Sequence, residues 1–319
     1  MADGPSRPRN PRPRSPRVTR VVLLLAPLLL LDFGPAGAQE WKEFRSSRQA
    51  AAYRSLQVEI LYGAGRLHVE PAEGDRLYDV RMLFDSERYV PLRSWSEREG
   101  QGKLRVALTS AREEEDRSSE IRLDDFDLQL DVGDLKKLGD SSGRLDMRLS
   151  RDVPTELKVG VGAAKSAIEL GGVPLTRLEF NTGASETRLS FEQPNPARLQ
   201  TLSVKIGAAS FRAEDLGNAN FEHLTFQGGV GDITLEFGGE WRRDARASVK
   251  MGVGSLTLRF PRELGVRVRR KSFLTSFDAP ELERLEEGVF ESSNWAAAEN
   301  HLELDLDAAF GSVRVEIVH

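Results

Sequence analysis

The stretch from Leu216 to Trp241 reads LGNANFEHLTFQGGVGDITLEFGGEW. Leu224 and Phe226 alternate with polar residues before the turn Gly229-Val230-Gly231. Ile233, Leu235 and Phe237 alternate after it. Alternation with period 2 means strands with one face buried and one face solvated. The same unit recurs around Gly162-Ala163-Ala164, Gly183-Ala184-Ser185, Gly207-Ala208-Ala209 and Gly252-Val253-Gly254. Successive turns lie 21, 24, 22 and 23 residues apart. One such unit has no partner for its apolar face, so neighbouring units must stack. A second corner follows in each unit: Gly171-Gly172 with Pro174, Pro194-Asn195-Pro196, Gly217-Asn218, Gly238-Gly239 and Pro261. These residues suit bends and do not suit helix interiors. The fold class is therefore all-β, a β-solenoid-like stack of two-strand repeats of about 22 residues. An antiparallel β-sandwich stays open as the alternative, because short glycine-containing turns serve hairpins equally well.

Outward from that core the repeat loosens. Val266 and Val268 alternate with Arg267 and Arg269, and Ser272-Phe273 stands where a further turn is due. Pro280 to Gly288, with Glu281, Leu282, Leu285 and Glu286, has helical spacing and predicts a helical insertion near 279–298. Strand returns at Leu302, Leu304 and Leu306, turns at Ala309-Phe310-Gly311, and closes with Val313, Val315 and Ile317. Upstream, Gly63-Ala64-Gly65 is the same turn, between Val58, Ile60 and Leu67, Val69. Tyr78 to Phe84 and Leu104 to Leu108 predict longer strands, 111–120 a charged loop, and Ile121 to Val132 and Leu145 to Leu149 further strand. Residues 39–55 predict a short N-terminal helix with Trp41, Phe44 and Tyr53 available to pack. This divides the chain into a β domain at 56–150 and a repeat domain at 151–319.

The first 38 residues have a different character. Six arginines precede an apolar run, Val21 to Leu31, and Ala36-Gly37-Ala38 offers a small-residue cut site. These are the parts of a secretory signal peptide, with cleavage expected after Ala38. The run is short for a bilayer span. The 319-residue chain has a net charge of −5, and the segment holds six Arg against Asp3 and Asp32, so the remainder carries −5 − 4 = −9. That balance speaks against nucleic acid, whose phosphates demand excess Lys and Arg. Cysteine is absent, which removes disulfides, thiolate nucleophiles and thiolate metal sites.

Several of these segments together carry a resemblance. They are GAGRLHVE with its following sheet, LDMRLSRDVPTELKVGVGAAKSAIELGG from Leu145 to Gly172, the opening stretch from Leu216 to Trp241, and the ending FGSVRVEIV. The chain from about residue 56 onward resembles the toast-rack family, in which a toast-rack N-terminal domain accompanies adhesin-type β-repeats. It is also similar to the C-terminal region of LiaF-like cell-envelope stress proteins. The resemblance implies a stack of strands outside the inner membrane, and it implies no enzyme activity. Those stress proteins carry membrane helices before this domain, and this chain offers only the signal segment.

Candidate chemistry is sparse. His68, His223, His301 and His319 are not spaced as metal ligands. The Gly-x-Gly turns lack the Lys-Ser/Thr and the helix that a phosphate loop needs. No Gly-x-Ser-x-Gly elbow is present. Asp124, Asp125 and Asp127 form the densest acidic group, a weak candidate for a hard cation beside the plainer reading of a solvated strand edge. Glu303, Asp305 and Asp307 share one face of a strand, as do Arg267 and Arg269, so neighbouring strands would give a cross-strand charge ladder. Trp41, Trp95, Trp241 and Trp295 read as caps of the stack. The expected function is a non-catalytic, exported binding or scaffolding module that needs no cofactor. Its partner is expected to be an envelope protein or cell-wall component. A sensory domain of an envelope-stress response is the alternative, and a polysaccharide-cleaving enzyme is a distant third.

Overall fold

The structure, a computed structural model, describes residues 40–50, 53–110, 143–271 and 274–318. Its first strands are β1 (Trp41–Gln49), β2 (Ser55–Pro71), β3 (Arg76–Asp85), β4 (Tyr89–Arg98), β5 (Gln101–Ser110) and β6 (Arg144–Leu149). The repeat supplies β7 (Thr155–Glu169), β8 (Leu175–Ser190), β9 (Leu199–Glu214), β10 (Phe221–Glu236) and β11 (Ala245–Pro261). The chain ends with β12 (Gly265–Arg270), β13 (Thr275–Asp278), β14 (Leu282–Glu286), β15 (Val289–Ser292) and β16 (His301–Val318).

Seven of these strands form the stack, in the order β2-β7-β8-β9-β10-β11-β16, and every neighbouring pair is parallel. Parallel pairing settles the architecture as a solenoid-like stack and removes the antiparallel sandwich. Each of the seven is 15–18 residues long because it bends once, at its glycine turn. The ladder pairs Gly228 with Met251 and Val230 with Val253, passing over Gly229 and Gly252. One residue is thus spent on the bend, and the inward parity flips. Leu224 and Phe226 face the interior before the bend, Ile233 and Leu235 after it.

The interior lies between the two halves of each bent strand. It is filled by Leu, Val, Ile and a run of phenylalanines. Phe211, from the second half of β9, packs against Phe180 at 6.3 Å and Phe226 at 5.6 Å, both from first halves. Each side chain fully buried there contributes about 1.5–3 kcal/mol. The open side is closed by the return loops. Buried Asn195 donates its amide to the carbonyls of Leu175 and Ala219, and its own oxygen accepts from the Leu175 N–H at 3.1 Å. Asn218 donates to Phe191 O at 2.8 Å and accepts from Glu240 N–H at 2.7 Å. Side-chain amides thereby satisfy loop backbone groups that water cannot reach.

At each end the bent strand splits its pairing. The first half of β2 pairs with β7 and with β5, which pairs with β4. Its second half pairs with β7 and with β6, which leads to β3 and β1. At the other end the first half of β16 pairs with β12, then β15 and β14, while its second half pairs with β13. These divergent layers cover the terminal rungs, whose edges would otherwise recruit other strands.

Two sequence expectations fail. The expected N-terminal helix at 39–55 is strand over Trp41–Gln49, paired antiparallel to β3. Its residues are mostly exposed, so it carries little alternation to read. The expected helical insertion near 279–298 is the hairpin β14–β15. Leu282 is buried and Leu285 exposed, and the turn closes on Gly288 at φ +76°. The expected loop at 111–120, the strand at Ile121 to Val132 and the turn at Ser272-Phe273 lie outside the described residues.

Candidate functional site

Because the stack interior is apolar, the side chains available for interaction lie on its outer faces, its bend and its ends. On the second half-sheet, ion pairs connect neighbouring rungs, diagonal for Arg188 and Arg212 and directly opposite for Arg259. Arg188 Nε donates to Glu214 at 2.8 Å, Arg212 to Glu236 at 2.7 Å, and Arg259 to both Glu236 at 2.9 Å and Glu316 at 2.8 Å. The hydrogen bond to Glu316 leads the causes that hold the Arg259 guanidinium above its usual range. Exposed pairs of this kind contribute about 0–1 kcal/mol each, so they can be exchanged for a ligand at little cost. Ala167 stands in the outward column between His68 and Arg188. Its small side chain floors a hollow of about 730 Å³ rimmed by Arg66, Arg144, Lys165, Arg188 and Arg212.

The bend carries a column of its own. Ala64, Ala163, Ala184, Ala208, Val230, Val253 and Phe310 follow one another across the seven rungs. After four of the seven crests the next residue is a glycine, and Gly65, Gly231, Gly254 and Gly311 take φ between +125° and +147°. A Cβ on Gly254 would run into the carbonyl of Gly231 on the rung before it. Glycine is required there on two counts, the φ and the space.

The end near β4 holds an aromatic cluster. Trp95 meets Tyr53 edge-on at 5.5 Å and Tyr78 at 5.6 Å, with the Arg48 guanidinium 4.2 Å from its ring centre. Burial raises the Tyr78 phenol, but hydrogen bonds with Ser46, Arg93 and Arg48 outweigh that and leave it below the usual tyrosine range. The Tyr62 phenol, deeper in, is pushed well above that range by burial. At the other end Arg267 lies 4.1 Å from the Trp295 ring centre and Arg270 5.2 Å from that of Phe277. Trp95 and Trp295 therefore sit in the end layers. Trp241 instead packs edge-on against Phe221 in a return loop and donates to Phe237 O, and Trp41 is 38 % exposed on β1.

The other singled-out residues are dispersed. His68 lies 3.7 Å from both Glu70 and Asp146, and His301 lies 3.2 Å from Asp244 with its other ring nitrogen 2.9 Å from Trp295 O. His223 is exposed on β10. His319 and the trio Asp124, Asp125 and Asp127 lie outside the described residues. Among the described residues no group of three His, Asp or Glu is placed to hold a metal ion. The expected charge ladder forms in part. β12 and β16 are parallel neighbours with Arg267 opposite Glu303 and Arg269 opposite Asp305. Arg269 pairs with Glu303 at 3.2 Å, while Arg267 turns away to Glu291 on β15 at 2.7 Å. Sequence reasoning missed Asn195, Asn218 and Asn220 as buried ties. Asn195 and Asn218 appeared only as turn residues and Asn220 was not singled out, although an Asn beside Pro or Gly in two successive return loops was a usable signal.

The family model for the N-terminal domain of toast-rack matches residues 37–212 and 195–259. The chain belongs to the toast-rack N-terminal domain family. Its solved structural neighbours are distant. One is described as a "putative cell adhesion protein" from Clostridium sporogenes, 14% identical, covering 88% of this chain and 100% of that one, with a TM-score of 0.46. Another is a "putative adhesin" from Bacteroides fragilis, 12% identical, covering 86% of this toast-rack chain and 97% of its own, with a TM-score of 0.32. No curated protein matches. Among the described residues no helix of the toast-rack chain is long and apolar enough to cross a membrane.

Proposed function

We propose that this toast-rack protein is an exported, non-catalytic binding or scaffolding module of the bacterial cell envelope, adhesin-like in the sense of presenting a surface to a partner. One observation carries the reading. Seven parallel rungs bury an apolar interior and turn all their charged side chains outward, which makes a long, rigid, repetitive surface. Repeat stacks use such surfaces to engage extended partners. The arginine-rich N-terminal segment with its Ala36-Gly37-Ala38 motif supports export. Expression of the full reading frame in a bacterium with two membranes tests it. The expected product begins at Gln39 by intact mass and is recovered outside the cytoplasm. An unprocessed cytoplasmic product contradicts the export reading.

A further inference from the structure

Seven large apolar side chains are exposed among the described residues, and four of them stand side by side. Val230 pairs in register with Val253, and Val253 with Phe310. Leu274 precedes the Thr275–Gly311 pair by one residue, which puts it level with Phe310 on the next strand. Their exposures are 56%, 47%, 55% and 72%. The four span three strand steps, about 14 Å, along the bend. Farther up the same column the crest residues are alanines, with Ala163 only 6% exposed. The apolar ridge is therefore confined to the last rungs.

The flanks of the ridge decide what it meets. Lys205, Lys250 and Lys271 stand exposed on the side before the bend, with Asp307 among them. On the other side stand Asp232, Ser255, Ser312 and Ser276, and Asp232 accepts a hydrogen bond from the Ser255 hydroxyl. The edge thus has an excess of cations on a chain whose net charge is −5. The four apolar side chains expose on the order of 400 Å² together, about half of what each partner buries in a stable protein complex. A second copy of the chain would need more surface than the ridge offers. A lipid interface needs no matching groove. It takes a narrow apolar crest into the headgroup boundary while lysine stems lie along it and place their charges at anionic headgroups.

We infer that the ridge Val230–Val253–Phe310–Leu274 is a docking edge for an anionic lipid surface. The inference rests on the envelope reading, since export is what brings the chain to such a surface, but its test is separate. A failure on vesicles leaves export standing, and a failure of export leaves the vesicle result standing.

The chain has no cysteine, so a single Phe310→Cys variant accepts one environment-sensitive fluorophore. The full chain is mixed with vesicles of equal parts phosphatidylglycerol and phosphatidylcholine. The control label is His223→Cys, seven residues before Val230 on the same strand and about 23 Å from it. Residues 1–38 are common to both variants, so the difference between the labels reads the ridge alone. The label at 310 should brighten roughly twofold and shift to the blue, while the label at 223 stays flat. Val253→Cys should repeat the response at 310. Lys205→Gln and Lys250→Gln should each weaken binding about fivefold. Equal responses at 310 and 223, or none at either, overturn the inference. So does a response at 310 that tracks protein concentration without vesicles, because that assigns the ridge to a second copy.

Discussion

The early and late rungs of the stack make the same bend with different residues. In β7, β8 and β9 the two residues after the bend glycine are Ala163-Ala164, Ala184-Ser185 and Ala208-Ala209, none of them at positive φ. In β10 and β11 they are Val230-Gly231 and Val253-Gly254, and in β16, where Ala309 holds the bend position, Phe310-Gly311, with each second residue a glycine at φ +125° or more. Yet both sets keep one register, paired strand to strand. The bend is thus a position in the ladder and not a fixed sequence. A small crest is compatible with ordinary backbone. The large exposed crests all come with a glycine behind them. β2 is intermediate, with Ala64 at the crest and Gly65 at φ +126°.

The sharpest way to break that comparison is Gly254→Ala. A Cβ there meets the Gly231 carbonyl at an unfavourable φ, so chemical denaturation should show a loss of about 2 kcal/mol or more. The opposite corner gives the next largest effect. Asn218→Ala strips the Phe191 carbonyl and the Glu240 N–H of their partner and should cost about 1–3 kcal/mol. Ala209→Gly, at the column position of Gly254 but in an early rung, should cost only about 0.5–1 kcal/mol by loosening the unfolded chain. If Ala209→Gly and Gly254→Ala cost the same, the two bends are not different.

The smallest effect is electrostatic. Burial first, then repulsion from Glu214, Glu236 and Glu192, raises the Asp215 carboxyl above the usual aspartate range. A raised native pKa means the folded state holds the proton more tightly than the unfolded chain. The cost is therefore present at neutral pH and vanishes as pH falls below the unfolded value. Asp215→Asn should raise the melting temperature at neutral pH, and the gain should disappear in acid. Asparagine also tolerates the φ of +53° at this position.

The stack itself was legible because its strands alternate cleanly and its turns keep a period. What the sequence concealed were elements whose burial comes from elsewhere. β1 is strand because β3 offers it an edge, and its own residues are largely exposed. In the β14–β15 hairpin Leu282 and Leu285 lie three apart like neighbours on a helix, yet only Leu282 is buried. Parallel and antiparallel stacking also look alike in one chain, since direction is set by the return loops. Of the outer surface, the charged columns could be read from alternation. The apolar ridge could not, because Leu274 joins it only through the pairing of β13 with β16.

The central claim is the order and parallel register of the rungs. Pairs of spin labels on the crest column test it directly, one fixed at Ala163→Cys and the other placed at Val230→Cys, Val253→Cys or Phe310→Cys. The backbone separations should grow step by step, to about 14, 19 and 24 Å, as three, four and five strand spacings are crossed. Distances that fail to rise in that order would contradict the stack.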